Sequence, residues 1–218
     1  MAANGETSES LFHIKRTLIN LKKDRTGSVQ EVDIKGTYTN LAAAKAAAKE
    51  TLFNEGYERE FFSTYEVKGH HEGEVWKHGD ECQVYAVAAE SGIFRVEIET
   101  AENTFGFVGG PNGKVDQELY YVLQTTIHYN LDRSGASRDV QVEDTLGTAD
   151  QARQRALKVL LDEDITKESF ERYDENIGQE DWPFDEDVVV YAVGQGGENY
   201  MVQVVRKEAS AKKVNDIL

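Results

Sequence analysis

One cysteine, two prolines, two methionines and two tryptophans stand among 218 residues. The lone thiol, Cys82, can form no internal disulfide and no thiolate zinc cluster, which fits a reducing compartment. No apolar run approaches the ~18 residues that a spanning helix needs, so no membrane partner is expected. The stretch Met1 to Ser10 has neither a basic flank nor an apolar centre, and the expected address is therefore cytoplasmic. Positive charge is also scarce, with 24 Lys and Arg against 40 Asp and Glu and a net charge of -16. So acidic a surface repels phosphate backbones and argues against nucleic acid as a partner. Ten tyrosines, nine phenylalanines and many valines are present, enough apolar surface to offset the entropy of ordering the chain.

The chain reads as one unit written twice. At a spacing of 108 residues Leu11-Phe12 falls on Leu119-Tyr120, Asp24-Arg25-Thr26-Gly27 on Asp132-Arg133-Ser134-Gly135, Leu52 on Leu160 and Tyr65 on Tyr173. After a two-residue slip the spacing becomes 106, and Trp76 meets Trp182 while Tyr85-Ala86-Val87 meets Tyr191-Ala192-Val193. Register kept across such varied residue types marks an internal repeat. The expected division is a tail over 1–10, a first repeat over 11–102, a glycine-rich flexible linker over 103–118, a second repeat over 119–208 and a tail over 209–218.

Within each repeat two β-rich segments flank Asp-Arg-x-Gly, which predicts a hairpin whose glycine takes a positive φ. The second strand alternates cleanly through Val32 and Ile34, whereas the first changes phase between Ile14 and Ile19, a sign of a bulge or of two covered faces. Helices follow over about 41–54 and 149–162, with Asn40 and Thr148 as N-caps, Gln151 closing a capping box and Gly56 a C-terminal stop. A short second helix is predicted around Glu60 to Tyr65 and around Glu168 to Tyr173, and two strands close each unit. The expected fold is α+β: a tandem duplication of a ββαββ unit, mainly antiparallel with helices on one face, the two repeats packed with pseudo-twofold symmetry. Any ligand site is expected at their junction.

Chemical motifs are few. His70-His71-Glu72-x-Glu74 with His78 and Cys82 carries zinc-type donors, but neither HExxH nor CxxC occurs and the second copy has no matching histidine, so no metal is expected. Gly109-Gly110-Pro111-Asn112-Gly113-Lys114 resembles part of a phosphate loop, yet Val108 and Val115 stand where glycine and a magnesium-binding hydroxyl belong. The Asp-Arg-x-Gly turn reads either as a loop-tip ligand site or as aspartate capping its own turn beside a solvated arginine. Acidic runs such as Asp185-Glu186-Asp187 fit no calcium loop and read as solvated. The residues that recur with ligand-binding character are aromatic: Trp76 with Trp182, Tyr65 with Tyr173 and Tyr85 with Tyr191. They either seal the core edge or line a site for an apolar or planar ligand.

The order of strand, Asp132-Arg133-Ser134-Gly135 turn, strand, alanine-rich helix and Tyr191-Ala192-Val193 strand resembles small, uncharacterised intracellular tandem-repeat proteins of filamentous fungi. The resemblance spans both repeats and implies the fold but no activity. Titratable residues are mostly unshared between the copies: His13, His70, His71, His78 and His128 align with Tyr121, Gly178, Gln179, Phe184 and Asn20. The leading expectation is a non-catalytic interaction or ligand-binding protein, with no cofactor and with a protein or small apolar ligand as partner. A homo-oligomer stays open. The alternatives are a small-molecule isomerase or cyclase with one asymmetric pocket, and an acidic partner of a basic macromolecular surface.

Overall fold

The computed structural model describes residues 8–69, 76–89 and 92–206. The chain divides into two compact units that meet in sequence between Asp116 and Gln117. Each is an α+β unit with one five-stranded, wholly antiparallel sheet and one α-helix. The first unit runs β1 (Ser10–Asn20), β2 (Gln30–Tyr38), α1 (Leu41–Asn54), β3 (Phe62–Val67), β4 (Cys82–Ala88) and β5 (Gly92–Glu102), in the spatial order β2-β1-β5-β4-β3. The second runs β6 (Tyr120–Ile127), β7 (Arg138–Leu146), α2 (Ala149–Ala156), β8 (Phe170–Glu175), β9 (Val188–Gly194) and β10 (Asn199–Arg206), in the corresponding order β7-β6-β10-β9-β8. No helix among the described residues is long and apolar enough to cross a membrane.

The halves agree in their irregularities as well as in their order. Register shifts fall between Ile14 and Lys15, Phe62 and Thr64, and Cys82 and Val84. Shifts occur at the matching places in the second unit, between Val122 and Leu123, between Phe170 and Arg172, and opposite the step from Val190 to Val188. A bulge adds one residue to one strand and bends it, so bulges at matching positions give both sheets a similar local twist.

Two elements differ from the sequence expectation. The segment around Glu60 to Tyr65 is not a helix: a single 3-10 turn, Arg59–Phe61, leads into edge strand β3, and Lys167–Ser169 leads into β8 in the same way. Phe62 and Tyr65 point to the helix-covered face while Ser63 is exposed, a pairing that the bulge reconciles with strand geometry. Each unit therefore has five strands about its helix rather than four. The second helix ends at Ala156 and continues as tight turns, with Lys158 N donating to Arg155 O and Leu161 N to Lys158 O. In α1 the chain leaves through Gly56 at φ 94, where Gly56 N bonds Phe53 O and Tyr57 N bonds Leu52 O. That pair of reversed bonds is the Schellman closure, and Asp164 stands at the corresponding place in the second half.

Both N-caps form, Asn40 Oδ1 accepting from Ala43 N at 2.9 Å and Thr148 Oγ1 from Gln151 N at 3.3 Å. The Gln151 side chain accepts the Thr148 hydroxyl instead of reaching back to the backbone. Helix α1 buries Ala44, Ala48, Thr51 and Leu52 against a core of Ile14, Leu18, Val84, Ala86, Phe94 and Val96. Helix α2 buries Ala152 and Ala156 over Val122, Val190 and Val202. Small alanines let each helix approach its sheet closely, and the larger sheet residues fill the space between.

The stretch expected to be a flexible connection is fastened to the first unit. Thr39 N donates to Gly113 O and Val115 N to Thr37 O, both at 2.8 Å, along the outer edge of β2. Asn103 bonds Phe107 through both ends of its amide, and Phe107 and Val115 are buried. Glycine composition permits this path, while buried apolar anchors and ladder bonds fix it. The tails expected over 1–10 and 209–218 lie mostly outside the described residues, and Ser10 opens β1.

Candidate functional site

In each half a set of rings gathers on one face of the sheet near β4 or β9. In the first half Tyr85 stacks flat on His78, with centroids 4.0 Å apart and planes 9° apart, and Trp76 meets His78 edge-on at 4.8 Å. In the second half Tyr191 stacks on Phe184 at 4.3 Å and Trp182 meets Phe184 at 5.1 Å and 64°. The loop before β4 or β9 thus folds back, laying a middle ring on the strand tyrosine and a tryptophan on the middle ring. Offset and edge-on contacts of this kind are the favoured arrangements of aromatic quadrupoles.

The surroundings differ in charge. His78 Nε2 meets Glu66 on β3, whose carboxyl is also reached by Lys77 Nζ at 2.9 Å. Those bonds, first from His78 and then from Lys77, hold the Glu66 carboxyl below its ordinary pKa. Arg95 donates to the His78 carbonyl at 2.9 Å and to Glu97 at 2.7 Å, which ties the loop to β5. In the second half the Arg172 guanidinium lies over the Tyr191 ring, 5.4 Å from its centroid, so the ring is flanked by a cation and a phenyl group. The Tyr191 hydroxyl accepts from Asn199 Nδ2 at 2.6 Å.

Trp76 and Trp182 share a further property. Both are half-buried, and each indole Nε1 is covered and has no acceptor among the described residues. Covered donors nearly always find partners, so the same orphan at the matching tryptophan of both halves calls for an explanation.

The six aromatic residues singled out by sequence do not form one site. Tyr65 lies opposite Ala86 on the helix-covered face, stacked on Phe53 at 5.2 Å, with its hydroxyl donating to the Lys49 carbonyl at 3.3 Å. Tyr85 lies opposite Glu66 and so projects from the other face. The second half repeats the split: Tyr173 lies opposite Ala192 and Tyr191 opposite Asp174. Tyr65 and Tyr173 close the core margin, each under a cation, Arg59 at 5.4 Å and Lys167 at 5.5 Å. Burial and then the Glu175 charge push the Tyr173 phenol up to about 12. The middle rings, His78 and Phe184, were missed as aromatic partners because histidine and phenylalanine do not read as equivalents in sequence.

A groove of about 420 Å³ runs beside β8 in the second half, lined by Arg172, Asp174, Ile177, Gln179, Asp181 and Trp182 among others. Ile177 is 81% exposed within it. Of the candidate metal donors, Cys82 is buried with its thiol donating to Val84 O and His78 is engaged by Glu66, and no cluster of three or more metal donors occurs among the described residues. His70, His71, Glu72 and Glu74 lie outside the described residues. The Asp-Arg-x-Gly turns follow their structural reading, since Asp24 accepts from the Thr26 and Ser28 amides and Asp132 from those of Ser134, Ala136 and Ser137. Gly27 and Gly135 take φ 83 and 77, and Arg25 and Arg133 are exposed. The Ser28 hydroxyl, then the Thr26 hydroxyl and amide, donate to the Asp24 carboxyl and hold it down to about 2.

No protein-family model matches this chain, and comparison with curated proteins and with solved structures finds no match either.

Proposed function

We propose that this chain is a non-catalytic binding protein formed by duplication of one unit, each copy offering a tryptophan-capped aromatic patch as a contact surface. The observation that carries this reading is the orphan indole N–H found at the same place in both halves, at the end of the same three-ring stack. An unpaired covered donor costs about 1–3 kcal/mol, and a ligand carbonyl or hydroxyl that reaches it removes the cost while the rings supply apolar area. The shared bulges support the duplication. Kinship with fungal tandem-repeat proteins belongs to the same proposal and adds no activity to it. The binding role is favoured over acid-base chemistry because the stacked position holds histidine in one copy and phenylalanine in the other, so what both copies keep is ring shape and not a proton carrier.

The test is titration of the chain with a neutral planar fluorophore such as Nile red, read through the emission of the dye, which rises and shifts to the blue when it is bound. A saturable rise is expected, reduced by Trp76→Phe and by Trp182→Phe and abolished in the folded double variant. Saturable binding that survives in the double variant, or no saturable binding at all, overturns the reading.

A further inference from the structure

The charge of this molecule is concentrated at one place. Between Asp162 and Asp187 twelve acidic residues stand against two basic ones, Lys167 and Arg172, a net of -10 out of the chain's -16. This stretch holds β8, the last strand of its sheet, which pairs with β9 alone. An edge strand offers backbone N–H and C=O groups to any chain that lies beside it. Its acidic side chains repel a second copy of the same edge and attract a strand of opposite charge, so one feature disfavours self-pairing and selects a partner. Beside the strand lies the groove of about 420 Å³, with acidic Asp174, Glu175 and Asp181, exposed Ile177 and half-buried Trp182 on its walls. Arg172 and Lys167 are already committed, Arg172 to Asp174 and Lys167 to Glu175 at 2.7 Å, and neither bond engages Glu171 or Asp181. One polar atom of a residue lining the groove, Trp182 Nε1, is covered and has no partner among the described residues.

We infer that the β8 edge and its groove dock an extended, arginine- or lysine-bearing segment of a partner protein, added as a sixth strand to the second sheet. This rests on the binding role proposed above and names its partner class. The backbone of the segment pairs with β8. Its cationic side chains meet Glu171 and Asp181, and alternate apolar side chains lie on Ile177 and the Trp182 ring, the division of labour between main chain and side chains that strand addition uses. A folded basic surface would satisfy the charge but would leave the edge unpaired.

The experiment uses the full chain carrying Trp76→Phe, so that Trp182 is the sole tryptophan, and an eight-residue peptide alternating Arg and Val. The expected result is a saturable change in Trp182 emission, weakened at least tenfold between 50 and 500 mM salt as the Debye length shortens. Glu171→Lys with Asp181→Lys is expected to weaken binding at least tenfold while the circular dichroism spectrum is unchanged. The same peptide with N-methylated amides is expected to lose binding. Where Trp76→Phe does not fold, calorimetric titration of the unaltered chain reads the same comparison. The inference is overturned if the Arg/Val peptide does not bind, if the charge reversals leave its affinity unchanged, if a Glu/Val peptide binds equally well, or if N-methylation has no effect. Saturable Nile red binding that depends on Trp76 and Trp182, beside a failed peptide titration, removes this inference and leaves the binding role standing.

Discussion

His13 on β1 is fully buried, its Nδ1 2.9 Å from Thr37 Oγ1, and burial holds the imidazole down to about 4. An unfolded histidine takes its proton near pH 6.5, so between about 6.5 and 4 the unfolded chain binds more protons than the folded one. Stability is therefore retained above pH 6.5 and lost as pH falls toward 4, by about 3 kcal/mol from this one group. Urea unfolding of the wild type and of His13→Gln across pH 7 to 4 should show the wild type losing more stability over that window, and parallel curves would exclude the effect. His78 permits a different substitution test, because the second half already holds phenylalanine at its place. His78→Phe keeps the stack on Tyr85 and is expected to change stability by less than about 1 kcal/mol, while His78→Ala removes a ring contact worth about 0.5–1.5 kcal/mol beyond its buried area. Denaturation of the two variants distinguishes them, and an equal loss for both would mean that the Glu66 bond, not the ring, holds the loop.

At the level of elements the equivalent leucines of the two helical segments separate burial from sequence. Leu52 is 0% exposed in the first core, whereas Leu160 lies in the irregular turns after α2 and is only partly covered. Leu52→Ala is expected to cost about 3 kcal/mol, transfer and cavity terms together, and Leu160→Ala about half that because its surroundings collapse more readily. Equal losses in thermal unfolding would mean that the segment after Ala156 is packed as tightly as α1. The same comparison marks what sequence could convey. Both N-caps, the Gly56 stop, the hairpin turns and the bulge in the first hairpin were legible, because each is a local demand on φ or on a backbone donor that a single residue type answers. Strand β3 was not legible. Glu60-Phe61-Phe62-Ser63-Thr64-Tyr65 has no clean twofold alternation, since the bulge at Ser63 shifts the phase, and the strand is specified by pairing with β4, more than fifteen residues further on. The aromatic patches were half legible for a related reason: Trp76 and Tyr85 have counterparts in the second half, but their joining ring is histidine in one and phenylalanine in the other. Register across a sheet, not spacing along the chain, put Tyr65 on the opposite face from Tyr85.

On the scale of the whole molecule the net charge of -16 opposes compaction, and most of it sits between Asp162 and Asp187. Like charges confined to one strand edge and its loops repel over distances of a Debye length, about 10 Å at 0.1 M ionic strength, so the penalty is largest at low salt. Added salt should therefore stabilise this chain, although it weakens the individual surface ion pairs, which contribute little each. Glu180, Asp185 and Glu186 are exposed and make no ion pair among the described residues, so neutralising them removes repulsion without breaking an ion pair. The triple variant Glu180→Gln, Asp185→Asn, Glu186→Gln is expected to melt a few degrees higher than the wild type at 10 mM salt, in line with the few degrees that about 1 kcal/mol produces in a chain of this size. At 500 mM salt, where the Debye length falls to about 4 Å, the difference should vanish. A variant that melts lower at low salt would show that these carboxylates hold the loop in place, and the acidic edge would then be a structural element of β8 whether or not it also serves as the docking surface proposed above.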